Sequence, residues 1–123
     1  MQELTQELRT VSEDSGPAAA LHSLLGVAYA GLGDATSAVS EGRKGMAIQP
    51  TSADPFEGPL REEDMAHIHA LLGNADEAIP ILKRWIQIPS ATSITPALMR
   101  IDPIWDAIRN DPRFQELVAE KKP

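Results

Sequence analysis

The stretch AGLGDATSAV, Ala30 to Val39, returns as ALLGNADEAI, Ala70 to Ile79, at an offset of 40 residues. In each copy an apolar run ends at a glycine, Gly33 or Gly73. The next residue, Asp34 or Asn74, is a good helix N-cap, and a new helical run follows. Glycine tolerates the left-handed conformation that closes many helices. Asp and Asn accept hydrogen bonds from the free N–H groups of the helix they open. Each copy therefore predicts a tight turn between two helices, and recurrence of the same turn predicts a repeated unit.

Working outward from the first copy, Leu21, Leu24, Leu25, Ala28, Tyr29 and Leu32 recur with helical spacing and predict one apolar stripe on a helix from Pro17 to Leu32. Pro17 suits its first turn, where a missing N–H costs nothing. The helix after Asp34 runs to about Ile48 and is stopped by Pro50. Around the second copy, Met65, Ile68, His69 and Leu72 define a face between Arg61 and Leu72. Asn74 then opens a helix that runs to about Ile88, with Pro80 inside it as the expected site of a kink. Pro50, Pro55, Gly58 and Pro59 mark the segment between the two units as a loop.

At the chain ends, Leu4, Leu8 and Val11 predict a short amphipathic helix before Pro17. Residues Pro89 to Pro96 read as a second loop. Asp102-Pro103 and Asp111-Pro112 each pair an N-cap with a first-turn proline, so two short helices are expected there. Trp105 and Ile108 should face inward from the first, and Phe114, Leu117 and Val118 from the second. The expected fold class is all-α: antiparallel hairpins in one domain, with residues 1–16 an N-terminal cap, 17–50 the first unit, 51–60 a loop, 61–90 the second unit and 91–123 C-terminal capping helices.

The 123 residues carry 18 acidic and 11 basic side chains, for a formal net charge of −7. An acidic chain with scattered basic residues repels phosphate backbones, which argues against a nucleic-acid partner. No apolar run approaches the ~20 residues of a membrane span. The first residues, MQELTQELRTVSEDSG, are too polar for a signal peptide, and a cytoplasmic location is the default expectation for such a chain. The chain has no cysteine, which removes disulfides, thiolate metal sites and cysteine nucleophiles.

In the first unit, His22, Leu25, Gly26, Tyr29, Ala38, Gly42 and Pro50 fall on the positions of a pattern of about 34 residues, W-x2-L-G-x2-Y, then A-x3-F, then P. Five of the seven agree, with His22 in place of Trp and Gly42 in place of Phe. In the second unit the matching residues are Glu62, Met65, Ala66, His69, Ala78, Leu82 and Ser90. The chain thus resembles the tetratricopeptide repeat family. Its ending, LMRIDPIWDAIRNDPRFQELVAE, is similar to the closing segment of bacterial multi-repeat proteins. The resemblance implies a solenoid of two clear repeats and a non-catalytic protein-binding role. In that family, ligands lie in the concave groove lined by the first helix of each hairpin. The matching outward positions here are Ser23, Val27 and Ala30, then Glu63, His67 and Ala70. A neutral-to-acidic groove of small side chains would favour an apolar or basic peptide. The opposing reading is that the groove binds nothing, or is filled by the chain's own terminal helices. A second role is structural, with copies stacking head to tail because two repeats leave apolar ends.

Chemistry has little to work with. His67 and His69 lie in REEDMAHIHA, but residues two apart on a helix point about 200° apart and cannot share one metal ion. No metal and no cofactor are expected. Glu62, Glu63 and Asp64 at a helix start suit the helix dipole, and no serine sits in a nucleophile-elbow context. Gly42 and Gly45 within one helix each cost about 1 kcal/mol relative to Ala. They are either tolerated weak positions or places where a neighbouring helix, in this chain or another subunit, comes close. Trp85 is read as core, with a subunit contact as its alternative.

Overall fold

The computed structural model describes residues 16–88 and 94–119. The helix expected over Leu4, Leu8 and Val11 lies outside the described residues. Every regular element described is helical: α1 (Gly16–Gly31), α2 (Ala35–Ile48), α3 (Gly58–Leu71), α4 (Ala75–Ile86), α5 (Pro96–Ile101), a 3-10 turn (Pro103–Ile108) and α6 (Pro112–Val118).

Both turns that opened the sequence reading form as expected. Gly33 has φ +81° and Gly73 φ +72°, and no other described residue has a positive φ. Around Gly33, the Asp34 N–H donates to the Tyr29 carbonyl at 3.0 Å and the Gly33 N–H to Ala30 at 3.0 Å. Around Gly73, Asn74 donates to His69 at 2.8 Å and Gly73 to Ala70 at 3.0 Å. This is the Schellman pairing of a helix C-terminus, made twice by equivalent residues. The N-caps differ. The Asp34 carboxylate accepts from the Ser37 N–H at 3.2 Å, whereas Asn74 makes no side-chain cap and its amide reaches His69 Nδ1 at 3.4 Å.

α1 packs on α2, both pack on α3, and α3 also carries α4 and the 3-10 turn; α6 closes the far side against α4 and α5. α3 is thus the central helix, and nine of its 14 residues are buried. That explains why its charged residues are partly enclosed. The larger core cluster joins Ala66, Ala70, Ala78, Leu82 and Trp85 to Met99, Trp105 and Phe114. A smaller one, Ala30, Ala38, Met65 and Ile68, lies between the hairpins.

The boundaries shift in two places. α3 begins at Gly58 rather than Arg61, because Pro59 fits its first turn. An unexpected helix, α5, occupies Pro96–Ile101, opened by Thr95, whose hydroxyl accepts from the Leu98 N–H at 3.2 Å. Asp102 and Asp111 cap the next two elements as the sequence indicated. Arg109 ties this region together: Nη1 donates to the Met99 and Arg100 carbonyls at 3.0 and 2.9 Å, and Nη2 to that of Asp102 at 2.6 Å. Pro80 lies inside α4, exposed to solvent. Among the described residues no helix is long and apolar enough to cross a membrane.

The largest departure from the sequence reading is the orientation of α1. The expected inward stripe held Leu24 and Leu32, yet these are 49% and 70% exposed. Leu21, Ala28 and Tyr29 are only half-buried, and Leu25 alone of the six is fully inside. The helix instead buries Ala19, Ser23, Gly26 and Ala30. A Cβ on Gly26 would lie 2.9 Å from the Ala38 carbonyl oxygen and 3.0 Å from the Gly42 nitrogen. The two backbones of the hairpin therefore touch, and contact this close admits only the small side of the helix. Gly42 and Gly45 follow the same rule inside the chain: a Cβ on Gly42 would meet Ile68 and Met65 of α3, and one on Gly45 would meet Ser23 and the Ala19 carbonyl of α1.

Candidate functional site

The six groove positions fall mostly inside the protein. Ser23 and Ala70 have no exposed surface, Ala30 retains 3% and Glu63 7%. Val27 and His67 are half-buried. The α3 face is covered by the chain itself. The His67 ring packs against Trp105 of the 3-10 turn, with centroids 5.0 Å apart and planes inclined by 58°. Trp105 in turn contacts Phe114 at 6.2 Å.

Beneath that cover lies a polar cluster between α1 and α3. Burial pushes the Asp64 carboxyl up to about 6, and the neighbouring Glu63 adds to the rise. Arg61, 3.6 Å away through Nη2, opposes it. The Ser23 hydroxyl is close enough to favour the charged form but makes no hydrogen bond of ordinary geometry. Burial lowers the His67 pKa, opposed by Glu63 and Asp102. His67 Nε2 is 3.9 Å from Glu63, too far for a hydrogen bond. His69 is also lowered, mainly by burial, and faces away toward Asn74. Among the described residues, no group of three His, Asp or Glu side chains converges on a point that could hold a metal ion. The Arg61–Asp64 and Glu63–His67 contacts run along α3 itself, three and four residues apart.

A separate cavity of about 260 Å³ lies between the end of α2, the following loop and α4, lined by Met46, Pro50, Thr51, Gly58, Glu62 and Arg84. Its carboxylate is already engaged. Glu62 Oε1 accepts from Trp85 Nε1 at 3.2 Å and pairs with Arg84 at 3.1 Å, and Oε2 accepts from Thr51 at 2.5 Å. That arrangement fixes Trp85 in the core, where it retains 4% exposure.

Two helix surfaces remain: a shallow depression of about 650 Å³ along the outer face of α2, lined by Thr36, Val39, Ser40, Arg43, Lys44 and Ala47, and the outer side of α1. Pro17, Leu24 and Gly31 are exposed, and Ala20, Leu21 and Ala28 flank them half-buried. Their spacing places all six on one face of the helix. α1 contains no Asp, Glu, Lys or Arg, and among the described helices it alone lacks them. On another side of the helix His22 Nδ1 lies 2.6 Å from Glu41 Oε2 of α2, so the apolar character is confined to this outer face. The helical spacing of the bulky leucines favours them as the inward face. The signal for the opposite orientation was the small-residue series Ala19, Ser23, Gly26 and Ala30, which runs with the same helical spacing.

No protein-family model, no curated protein and no solved structure matches the chain. The function must be argued from the residues themselves.

Proposed function

We propose that the chain is a non-catalytic protein-interaction module, built as a tetratricopeptide-like solenoid of two hairpins with flanking helices capping the stack. The paired Gly33 and Gly73 turns, made with the same hydrogen bonds 40 residues apart, support the repeat. Burial of Ala38 and Ala78 with no exposed surface supports the register in which a small residue marks each hairpin crossing.

The observation that carries the binding role is the uncharged outer face of α1. Exposed apolar patches on monomeric proteins are small, and larger ones mark interaction sites. On an acidic chain this face is suited to an apolar partner surface, and a basic rim on that partner would be attracted to the acidic remainder. The groove first expected from Ser23, Val27, Ala30, Glu63, His67 and Ala70 is less suited, since four of the six are buried. Affinity capture from the native source, comparing the unaltered chain with Leu24→Glu, tests the reading. A protein other than this chain should be retained by the first and lost by the second. Equal retention by both would place the binding surface elsewhere.

A further inference from the structure

We infer that the Phe56 loop of one copy docks in the depression on α2 of a second copy, with Glu57 meeting Arg43. The inference goes beyond the α1 reading and uses no residue of that face.

The loop between α2 and α3 is built to hold its tip still. One Asp54 carboxylate oxygen accepts from the Phe56 and Glu57 N–H groups at 3.1 and 3.0 Å. The other accepts from Gln49 Nε2 at 3.2 Å. The Asp54 N–H donates to the Pro50 carbonyl at 2.9 Å, and the Gly58 N–H to that of Asp54 at 2.8 Å. Pro55 fixes one more dihedral at the same point. On this closed turn Phe56 is 81% exposed, more than any other large apolar side chain among the described residues. A ring held out on an ordered backbone loses little freedom when it is buried, which is what a docking anchor needs. Beside it the Glu57 carboxylate is exposed and makes no ion pair among the described residues.

The depression of about 650 Å³ on α2 has the complementary character. Ala35, Val39 and Ala47 give it small apolar walls, Arg43 and Lys44 stand beside them, and among the described residues no acidic side chain lines it. Lys44 is shared with Glu41 at 3.1 Å. Arg43 is exposed and has no such partner among the described residues, so it is the cation left for an incoming carboxylate. An exposed ring flanked by a free carboxylate, and a hollow flanked by a free guanidinium, thus occur on one chain. The formal net charge of −7 is screened beyond about 8 Å at physiological salt, so these local charges decide the contact. The two patches differ, so each copy can offer its loop to one neighbour and its depression to another. One loop in a shallow hollow buries less than the ~800 Å² per partner of a standard interface, and the association is weak and concentration-dependent.

Sedimentation equilibrium from about 10 μM to about 1 mM tests this, a range set by the small interface. The weight-average mass of the unaltered chain should rise above one chain. Phe56→Ala, Arg43→Glu and Glu57→Arg should each weaken association about tenfold or more. Their helical circular dichroism spectra should stay unchanged, since all three side chains are exposed. Mixing the Arg43→Glu and Glu57→Arg proteins should restore association, because the reversed loop of one meets the reversed hollow of the other. Leu24→Glu should leave the rise intact. A single-chain mass throughout overturns the inference. So does association that Phe56→Ala leaves unchanged, or a mixture of the two charge-reversed proteins that stays single. If the mass stays single while another protein is captured through Leu24, the second-copy inference fails and the α1 reading stands; if the mass rises as expected while nothing is captured through Leu24, the α1 reading fails alone.

Discussion

The His67 imidazole and the Trp105 indole, 38 residues apart in sequence, pack with ring centroids 5.0 Å apart. This contact joins the central helix to the C-terminal elements, and Trp105 is 2% exposed within the larger core cluster. Trp105→Ala removes the joining ring and leaves a cavity, so it should cost about 3–5 kcal/mol of folding stability. Urea unfolding should show a lowered midpoint. An unchanged midpoint would mean that the C-terminal elements are not part of the cooperative core.

Two glycines in α1 should respond oppositely to alanine. At Gly26 the new Cβ meets backbone atoms of Ala38 and Gly42 at 2.9 and 3.0 Å. Overpacking of about 1–3 kcal/mol should outweigh the helix-propensity gain there. At Gly31 a Cβ meets nothing within 4 Å, and alanine should stabilise by up to about 1 kcal/mol. Thermal melts of the two variants should move in opposite directions. A stabilised Gly26→Ala would contradict the backbone contact.

Asp64 makes a pH-dependent prediction. Its folded pKa of about 6 lies above the ordinary 3.8, so between these values the folded state binds more protons than the unfolded state. The group's contribution to stability therefore falls as pH rises through this window, and the deficit is complete above about pH 6. Asp64→Asn should raise stability at pH 7 by about 1–3 kcal/mol, an upper range set by the shift. The gain should shrink as pH falls from 6 to 4. A variant no more stable than the parent at pH 7 would show that the pairing with Arg61 outweighs desolvation.

Arg109 donates to three main-chain carbonyls at the end of α5 and the start of the 3-10 turn. Arg109→Met keeps much of the side-chain volume and removes all three bonds. A loss of about 1–3 kcal/mol is expected for hydrogen bonds from a charged group. Amide hydrogen exchange should quicken first at Asp102, whose N–H bonds the Leu98 carbonyl. Unchanged exchange there would assign the guanidinium no structural role.

The hairpin turns, the loop after Pro50 and the inward-facing Trp105, Ile108 and Phe114 were legible because each depends on local chemistry: a glycine, a capping side chain, a proline or an isolated bulky residue in a polar run; most of the expected Pro89–Pro96 loop lies outside the described residues. The orientation of α1 was not. With no charged residue to mark its wet side, the helix has no preferred face of its own, and tertiary packing chose the side on which Gly26 fits against Ala38. The burial of the groove residues was hidden for a related reason. Ser23, Ala30, Glu63 and Ala70 face neighbouring parts of the same chain, and no local pattern says what will cover them. α5 escaped notice because Thr95 and Pro96 lie in a stretch whose prolines dominate its appearance.

The central claim, that the uncharged outer face of α1 is the contact surface, is tested most directly by amide chemical shifts compared between the free protein and the protein with a captured partner bound. The shifts that move should cluster at Ala20, Leu21, Leu24, Ala28 and Gly31, while those of Thr36 and Ser40 on α2 stay fixed. Movement confined to other helices, or none when that partner is bound, would contradict it.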